Sequence, residues 1–331
     1  MKEYIAEYFF KTKKILEAKK PNNVITMQFF QREDNTVLCG MKEVLELLEK
    51  ETDTKKYKIR YLPDGSIIND KEVVLELEGH YQDFGIYEGM IDGILARSSS
   101  IATNTRRIVE VANGKKIVYM GDRADHYLMQ RFDGYAVHIG GVDTQCTKEH
   151  VALHNGLAVG TVPHVLFQGF DGDIVKALQA YKEVINEPIT ALVDFNNDVI
   201  NDSLKALKVF GKDMVALRVD TAQNVRDKMF KNNEDEFGVT PNQIKRLRQA
   251  LDEHNGKHVK IIVSSGFNAK KVKWFEDEKT PVDVYGIGGS ILKIKLNFSA
   301  DAVKLNGKEI AKFGRVYSHN PKLIEYKKSS K

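Results

Sequence analysis

Cysteine is almost missing from this chain. Its 331 residues hold only Cys39 and Cys146, and these form no CxxC pair. That excludes a disulfide scaffold and a zinc knuckle, and it suits a reducing compartment. A surplus of one charge is missing too. The 50 basic and 46 acidic residues leave a net charge of +4, so no global field argues for nucleic acid. Local clusters such as Lys11, Lys13 and Lys14 or Lys327-Lys328 read as solvated faces or tails. No apolar run approaches the ~20 residues of a membrane span. The opening MKEYIAEYFFKTKK carries charges inside its apolar part and does not read as a secretory signal. These absences predict a cytoplasmic protein with neither a membrane nor a nucleic-acid partner. Familiar catalytic signatures are also absent: no serine elbow, no GxxxxGKS/T loop and no Cys/His nucleophile pattern. His150 and His154 stand four apart without a Glu or a third ligand, and read as a helix face rather than a metal site. There is no internal repeat and no low-complexity linker.

What remains is an ordinary globular composition, 42% apolar and 29% charged, long enough for a large core and two domains. Residues 1–97 mix helix and strand without regular alternation. A helix is predicted over Ala6–Leu16, a strand over Val24–Phe30, a helix over Gly40–Lys50 and a strand over Val73–Leu77. From residue 98 the texture changes to short apolar strands followed by helical segments. The predicted strands are Lys116–Met120, Tyr135–Ile139, Leu157–Thr161, Ile189–Asp194, Met214–Asp220, Val259–Ser264 and Val282–Gly286. Helices are predicted over Asp173–Val184, Asp202–Phe210 and Pro241–Glu253, the last with Thr240 as N-cap and Pro in its first turn. Seven β/α steps suggest a parallel, incomplete β/α barrel over 98–290, with a doubly wound sheet as the competing architecture. Residues 1–97 together with 291–331 would form the α/β sandwich domain.

The predicted strand ends carry the chemistry. They present Gly121-Asp122-Arg123, Gly140-Gly141, His164, Asp194, Arg218 with Asp220, Ser264-Ser265-Gly266, and Gly286 to Ser290. In a β/α barrel such ends converge on one mouth, where the active site sits. Taken singly, each has a structural reading: Asp194 could cap a helix, Arg218 could pair with Asp220, and Gly266 could turn the chain. His164 follows the apolar run and chain break of LAVGTVPH (157–164), which would place it at that mouth. VSSGF (263–267) and YGIGGS (285–290) are small, flexible loops after the last two strands. That is the customary phosphate seat, and their backbone N–H groups would face an anion. GIGGS departs from GxGxxG, which argues against a dinucleotide site. Arginine and histidine beside Asp194 and Asp220 would suit a polyphosphate substrate with Mg²⁺.

These residues, in order and spacing, resemble the nicotinate phosphoribosyltransferase family. The marks are GTVPH (160–164), ALVDF (191–195), RVDT (218–221), VKIIVSSGF (259–267) and VDVYGIGGS (282–290). YFFKT (8–12) and EGMIDGILARSSSIAT (88–103) resemble its N-terminal signature and the entry to its barrel. The resemblance implies an α/β sandwich, completed by C-terminal residues, on an incomplete β/α barrel. It implies transfer of a phosphoribosyl group from phosphoribosyl pyrophosphate to nicotinate, giving nicotinate mononucleotide and pyrophosphate, with ATP as co-substrate and Mg²⁺. Carried over by motif, His164 would be the phosphohistidine and Arg123 would hold the nicotinate carboxylate. Tyr8 of a partner subunit would stack on the pyridine, so the working unit would be a homodimer. Arg218 and Asp220 would contact phosphate and ribose, with Thr161 beside them, and Asp194 would face the magnesium pyrophosphate. Ser265, Gly266, Gly288 and Gly289 would shape the 5′-phosphate seat. Many relatives have two adjacent arginines where this chain has Arg123-Ala124. Quinolinate or nicotinamide as acceptor, a phosphate-binding barrel lyase or isomerase, and a non-catalytic metabolite binder are the competing readings.

Overall fold

A computed structural model describes residues 1–327. The predicted tail at 328–331 lies outside the described residues. The chain divides into two compact units. One comprises residues 1–106, 136–140 and those from 293 onward; the other comprises 107–135 and 141–292.

The chain opens with α1 (Glu7–Lys19), β1 (Val24–Phe30) and β2 (Thr36–Val37). It continues with α2 (Met41–Glu51), β3 (Lys58–Tyr61), β4 (Ile67–Ile68), β5 (Leu75–His80), α3 (Tyr81–Phe84) and α4 (Glu88–Val111). The apolar stretch VITMQFF makes β1 a central strand, antiparallel to β5 with Met27 opposite Leu77 and Phe29 opposite Leu75. In α2, Val44, Leu47 and Leu48 recur at helical spacing and are buried. Their core also takes in Met27, Phe29, Leu75, Leu77, Ile91 and Leu95.

The parallel sheet follows. Its elements in chain order are β6 (Lys116–Tyr119), α5 (Gln130–Ile139), β7 (Thr144–Gln145), β8 (Leu157–Ala158), α6 (His164–Gln168), α7 (Ile174–Val184), β9 (Ile189–Leu192) and α8 (Val199–Phe210). Then come β10 (Met214–Val219), α9 (Pro241–Glu253), β11 (Lys260–Val263), α10 (Ala269–Asp277) and β12 (Val284–Ile287). The spatial order is β8-β7-β6-β12-β11-β10-β9, seven strands, and the pairings are parallel. The first and last barrel strands, β6 and β12, pair with each other, while β8 and β9 remain the two free edges. The sheet is therefore an incomplete barrel, open between its third and fourth strands.

Finally β13 (Ser299–Leu305), β14 (Lys308–Glu309) and β15 (Ile324–Glu325) return to the first sheet. Its order becomes β14-β13-β1-β5-β3-β15.

Four sequence readings need correction. Tyr135–Ile139 is the end of α5 rather than a strand, so Gly140-Gly141 follows a helix. Five apolar residues are too few to separate the two periods, and Ala136 and Val137 are buried in either. The true second strand is Thr144–Gln145, too short and too polar to register as an apolar run. The third strand stops at Ala158 instead of Thr161. His150 and His154 lie in turns, not on a helix face. By contrast, α9 starts at Pro241 with the Thr240 hydroxyl accepting from the Gln243 N–H at 3.2 Å.

Candidate active site

Where backbone pairing leaves the barrel open, side chains cross the seam. Pro163, extended at φ −82°, starts α6 and sets His164 at its first position. His164 Nε2 donates to Asp194 Oδ2 at 3.0 Å, joining the segment after β8 to the residue just past β9. One strand further along, the Arg218 guanidinium donates to Thr161 Oγ1 at 2.8 Å and to Asp220 Oδ2 at 2.9 Å. Ser264 Oγ, at the end of β11, donates to the other Asp220 oxygen at 2.6 Å. His164 with Asp194, and Thr161 with Arg218, Asp220 and Ser264, thus place polar side chains across the ends of β8 to β11.

The groups differ in how far they are satisfied. Both Asp220 oxygens accept hydrogen bonds, so this carboxylate chiefly orients Arg218. The Asp194 side chain is only 9% exposed, against 44% for His164, and its Oδ1 is buried with no hydrogen-bond partner among the described residues. Burial raises the Asp194 carboxyl from its ordinary value and Asp220 adds to this, while His164 pulls it down. Arg218 Nε is likewise buried without a partner among the described residues. Such orphaned atoms at a strand-end mouth call for a ligand or an ion.

The two glycine loops lie side by side because β11 and β12 pair in parallel. Ser290 Oγ ties them by donating to the Phe267 carbonyl at 2.8 Å. Ser265 and Gly266 are successive left-handed residues, φ +74° and +71°. A Cβ on Gly288 would stand 2.8 Å from the Met120 carbonyl oxygen, so only glycine lets these two backbones approach. Gly289 faces Ala124, 3.3 Å from where its own Cβ would be. The preceding residue, Arg123, is exposed in a turn and makes no hydrogen bond or ion pair among the described residues. Tyr8 is 61% exposed on α1, its ring 4.2 Å from that of Phe9.

Three neighbours escaped sequence reading. Ser264 reads in the sequence only as part of its loop. Gln223 places its amide nitrogen where a Gly266 Cβ would be, and nothing in its sequence context marks it. Lys271, in the first turn of α10, was hidden in a lysine run. A separate group involves Cys146: its thiol donates to Asp122 Oδ1 at 3.4 Å and lies 3.7 Å from His150 Nδ1. Burial pushes this thiol up to about 11, so it remains protonated and is a poor nucleophile.

Comparison with known proteins places this arrangement. A nicotinate phosphoribosyltransferase of Mycobacterium tuberculosis is 24% identical over 236 residues, 69% of this chain and 48% of that protein. The chain thus spans about half the length of the curated relatives it matches. The crystal structure of a nicotinate-nucleotide pyrophosphorylase from Pyrococcus furiosus superposes with a TM-score of 0.85 and 33% identity, covering 96% of this chain and 79% of that one. The human nicotinic acid phosphoribosyltransferase has the same fold at 16% identity and a TM-score of 0.74, over 95% of this chain and 77% of that one. Residues 8–99 match the N-terminal domain of the quinolinate phosphoribosyl transferase family model, and residues 101–296 match its C-terminal domain. The chain belongs to the quinolinate phosphoribosyltransferase family.

Proposed function

We propose that the protein transfers the phosphoribosyl group of phosphoribosyl pyrophosphate to nicotinate, with ATP hydrolysed through His164. The observation that carries this reading is the His164–Asp194 pair standing beside the anchored Arg218 and the two glycine loops. The pyridine nitrogen uses its lone pair to form the bond to the ribose anomeric carbon as the bond to pyrophosphate breaks. That nucleophile carries no proton to remove, so no general base is needed. The barrier falls through positioning and through charge stabilisation on the departing pyrophosphate. Arg218, held at two points by Thr161 and Asp220, is a preorganised cation for that charge.

His164 engages Asp194 through Nε2, which leaves Nδ1 as the nitrogen to attack the γ-phosphorus of ATP. An N–P bond forms, ADP departs, and Asp194 stabilises the resulting cationic ring. Mg²⁺ fits the donor set: the unpartnered Asp194 Oδ1 would hold it, with substrate phosphates supplying most other ligands. When bound, it would neutralise phosphate charge.

Arg123, exposed and without an ion pair among the described residues, suits a single carboxylate such as that of nicotinate. Quinolinate is the second reading, favoured by the family model that matches most of the chain; it asks for a second cation. In the nicotinate reading Tyr8 stacks on the pyridine held by a partner subunit, and its exposure leaves the ring free to do so. The test is direct. Incubate the protein with phosphoribosyl pyrophosphate, Mg²⁺ and each of nicotinate, nicotinamide and quinolinate, with and without ATP. Nicotinate mononucleotide is expected from nicotinate, faster with ATP. Its formation from quinolinate alone, with release of carbon dioxide, would overturn the nicotinate reading.

A further inference from the structure

The lysine pair Lys270-Lys271 looks equivalent in sequence and is not equivalent in the fold. Asn268 caps α10, its Oδ1 accepting from the Lys271 N–H at 3.0 Å. Helical side chains lean toward the N-terminus, so one of the two lysines must pass back over the preceding loop. It is Lys271: Lys270 is exposed, whereas Lys271 is partly buried with Nζ 3.2 Å from the Ser265 carbonyl oxygen and 4.5 Å from the centre of the Phe267 ring. No carboxylate pairs with it among the described residues. Its ammonium is held down to about 8 by burial alone, with no charged group on a neighbouring element contributing. A desolvated cation without a counter-ion is costly, and an arriving anion would relieve it.

The bond to Ser265 has a geometric consequence. Across a planar trans peptide the C=O and the following N–H point in opposite directions. Pinning the Ser265 carbonyl toward α10 therefore turns the Gly266 N–H to the opposite side. Gly266 is exposed, and neither its N–H nor that of Phe267 has a hydrogen-bond partner among the described residues. Ser265 keeps a left-handed φ of +74° that a non-glycine residue avoids unless held there.

We propose that Lys271 is the positioning residue of the phosphate seat, its ammonium holding the Ser265 carbonyl so that the Gly266 N–H faces the phosphate monoester of a bound ribose 5-phosphate group. The inference rests on the phosphoribosyl reading for the identity of its ligand. It is tested on the full chain with ribose 5-phosphate as the probe, so that binding is read without turnover. Calorimetric titration of Lys271→Met should show affinity weaker by about 10-fold, the loss of roughly one charge-assisted contact. Lys271→Arg should recover most of it, and Lys270→Met should match the parent. Methionine keeps the buried stem and removes the costly desolvated charge, so a melting temperature no lower than the parent's is expected and separates this loss from unfolding. In the transferase assay the same change should raise KM for phosphoribosyl pyrophosphate about 10-fold while kcat stays within about two-fold. Equal affinity in Lys271→Met and the parent, or equal losses in Lys270→Met and Lys271→Met, would overturn the proposal. If no nucleotide forms with any pyridine yet Lys271→Met alone weakens ribose 5-phosphate binding, the transferase reading fails and the assignment of Lys271 stands.

Discussion

Asp194 sits in a position that works against its own charge. Burial raises its folded-state carboxyl pKa above the unfolded value near 3.8. The native state therefore holds this proton to higher pH than the unfolded state does. The associated stability is fully present below the unfolded value and is lost as pH rises through the folded one. Asp194→Asn removes that dependence and should melt at a higher temperature at neutral pH, with a flatter pH profile in calorimetry. The same change should lower transfer activity by about 100-fold, as expected for loss of one electrostatic contact at a reacting site. A stability gain with full activity would remove Asp194 from the chemistry. Under the proposed mechanism, His164→Ala should abolish ATP stimulation and leave a slower ATP-independent rate, read as nicotinate mononucleotide formed per minute. Equal loss of both would place His164 in the transfer step itself.

The elements fall into those that sequence periodicity specifies and those that it does not. Pro241–Glu253 is legible because its cap, its first-turn proline and its apolar spacing agree. Thr240→Ala should cost about 1 kcal/mol in urea denaturation, since the cap bond to the Gln243 N–H is lost. The loop after β12 is legible as glycine-rich, but its sequence does not say which glycine is indispensable. The 2.8 Å approach to the Met120 carbonyl singles out Gly288. Gly288→Ala should destabilise the protein by about 1–3 kcal/mol in the same assay and weaken ribose 5-phosphate binding. Tyr135–Ile139 and Thr144–Gln145 were illegible for opposite reasons. The first is an apolar run that reads as either period; the second is a strand only because its neighbours pair with it.

For the molecule as a whole, the open seam of the barrel and its polar cluster are one feature. β8 and β9 share no backbone ladder, yet His164–Asp194 and Thr161–Arg218 span the gap. The network that would bind the substrate is therefore also what links these barrel edges by side chains. If Tyr8 completes a partner's site, mixing Tyr8→Ala and His164→Ala chains, neither of which shows ATP-stimulated transfer, should restore that ATP-stimulated rate, because one site of each mixed dimer then draws both intact residues. No ATP-stimulated rate on mixing would mean each chain builds its site alone.

The residues in order already give the change from mixed helix and strand to short strands followed by helices, and the polar residues at most of the strand ends. Those features are local, set by periodicity, caps and turn residues. Which side chains meet is set by the packing: Asp220 with Ser264 across 44 positions and His164 with Asp194 across 30, and Lys271, which no strand-end reading marks, rather than Lys270 over the Ser265 carbonyl. Burial, partner geometry and close backbone approach are properties of packing between distant segments, and no local spacing encodes them.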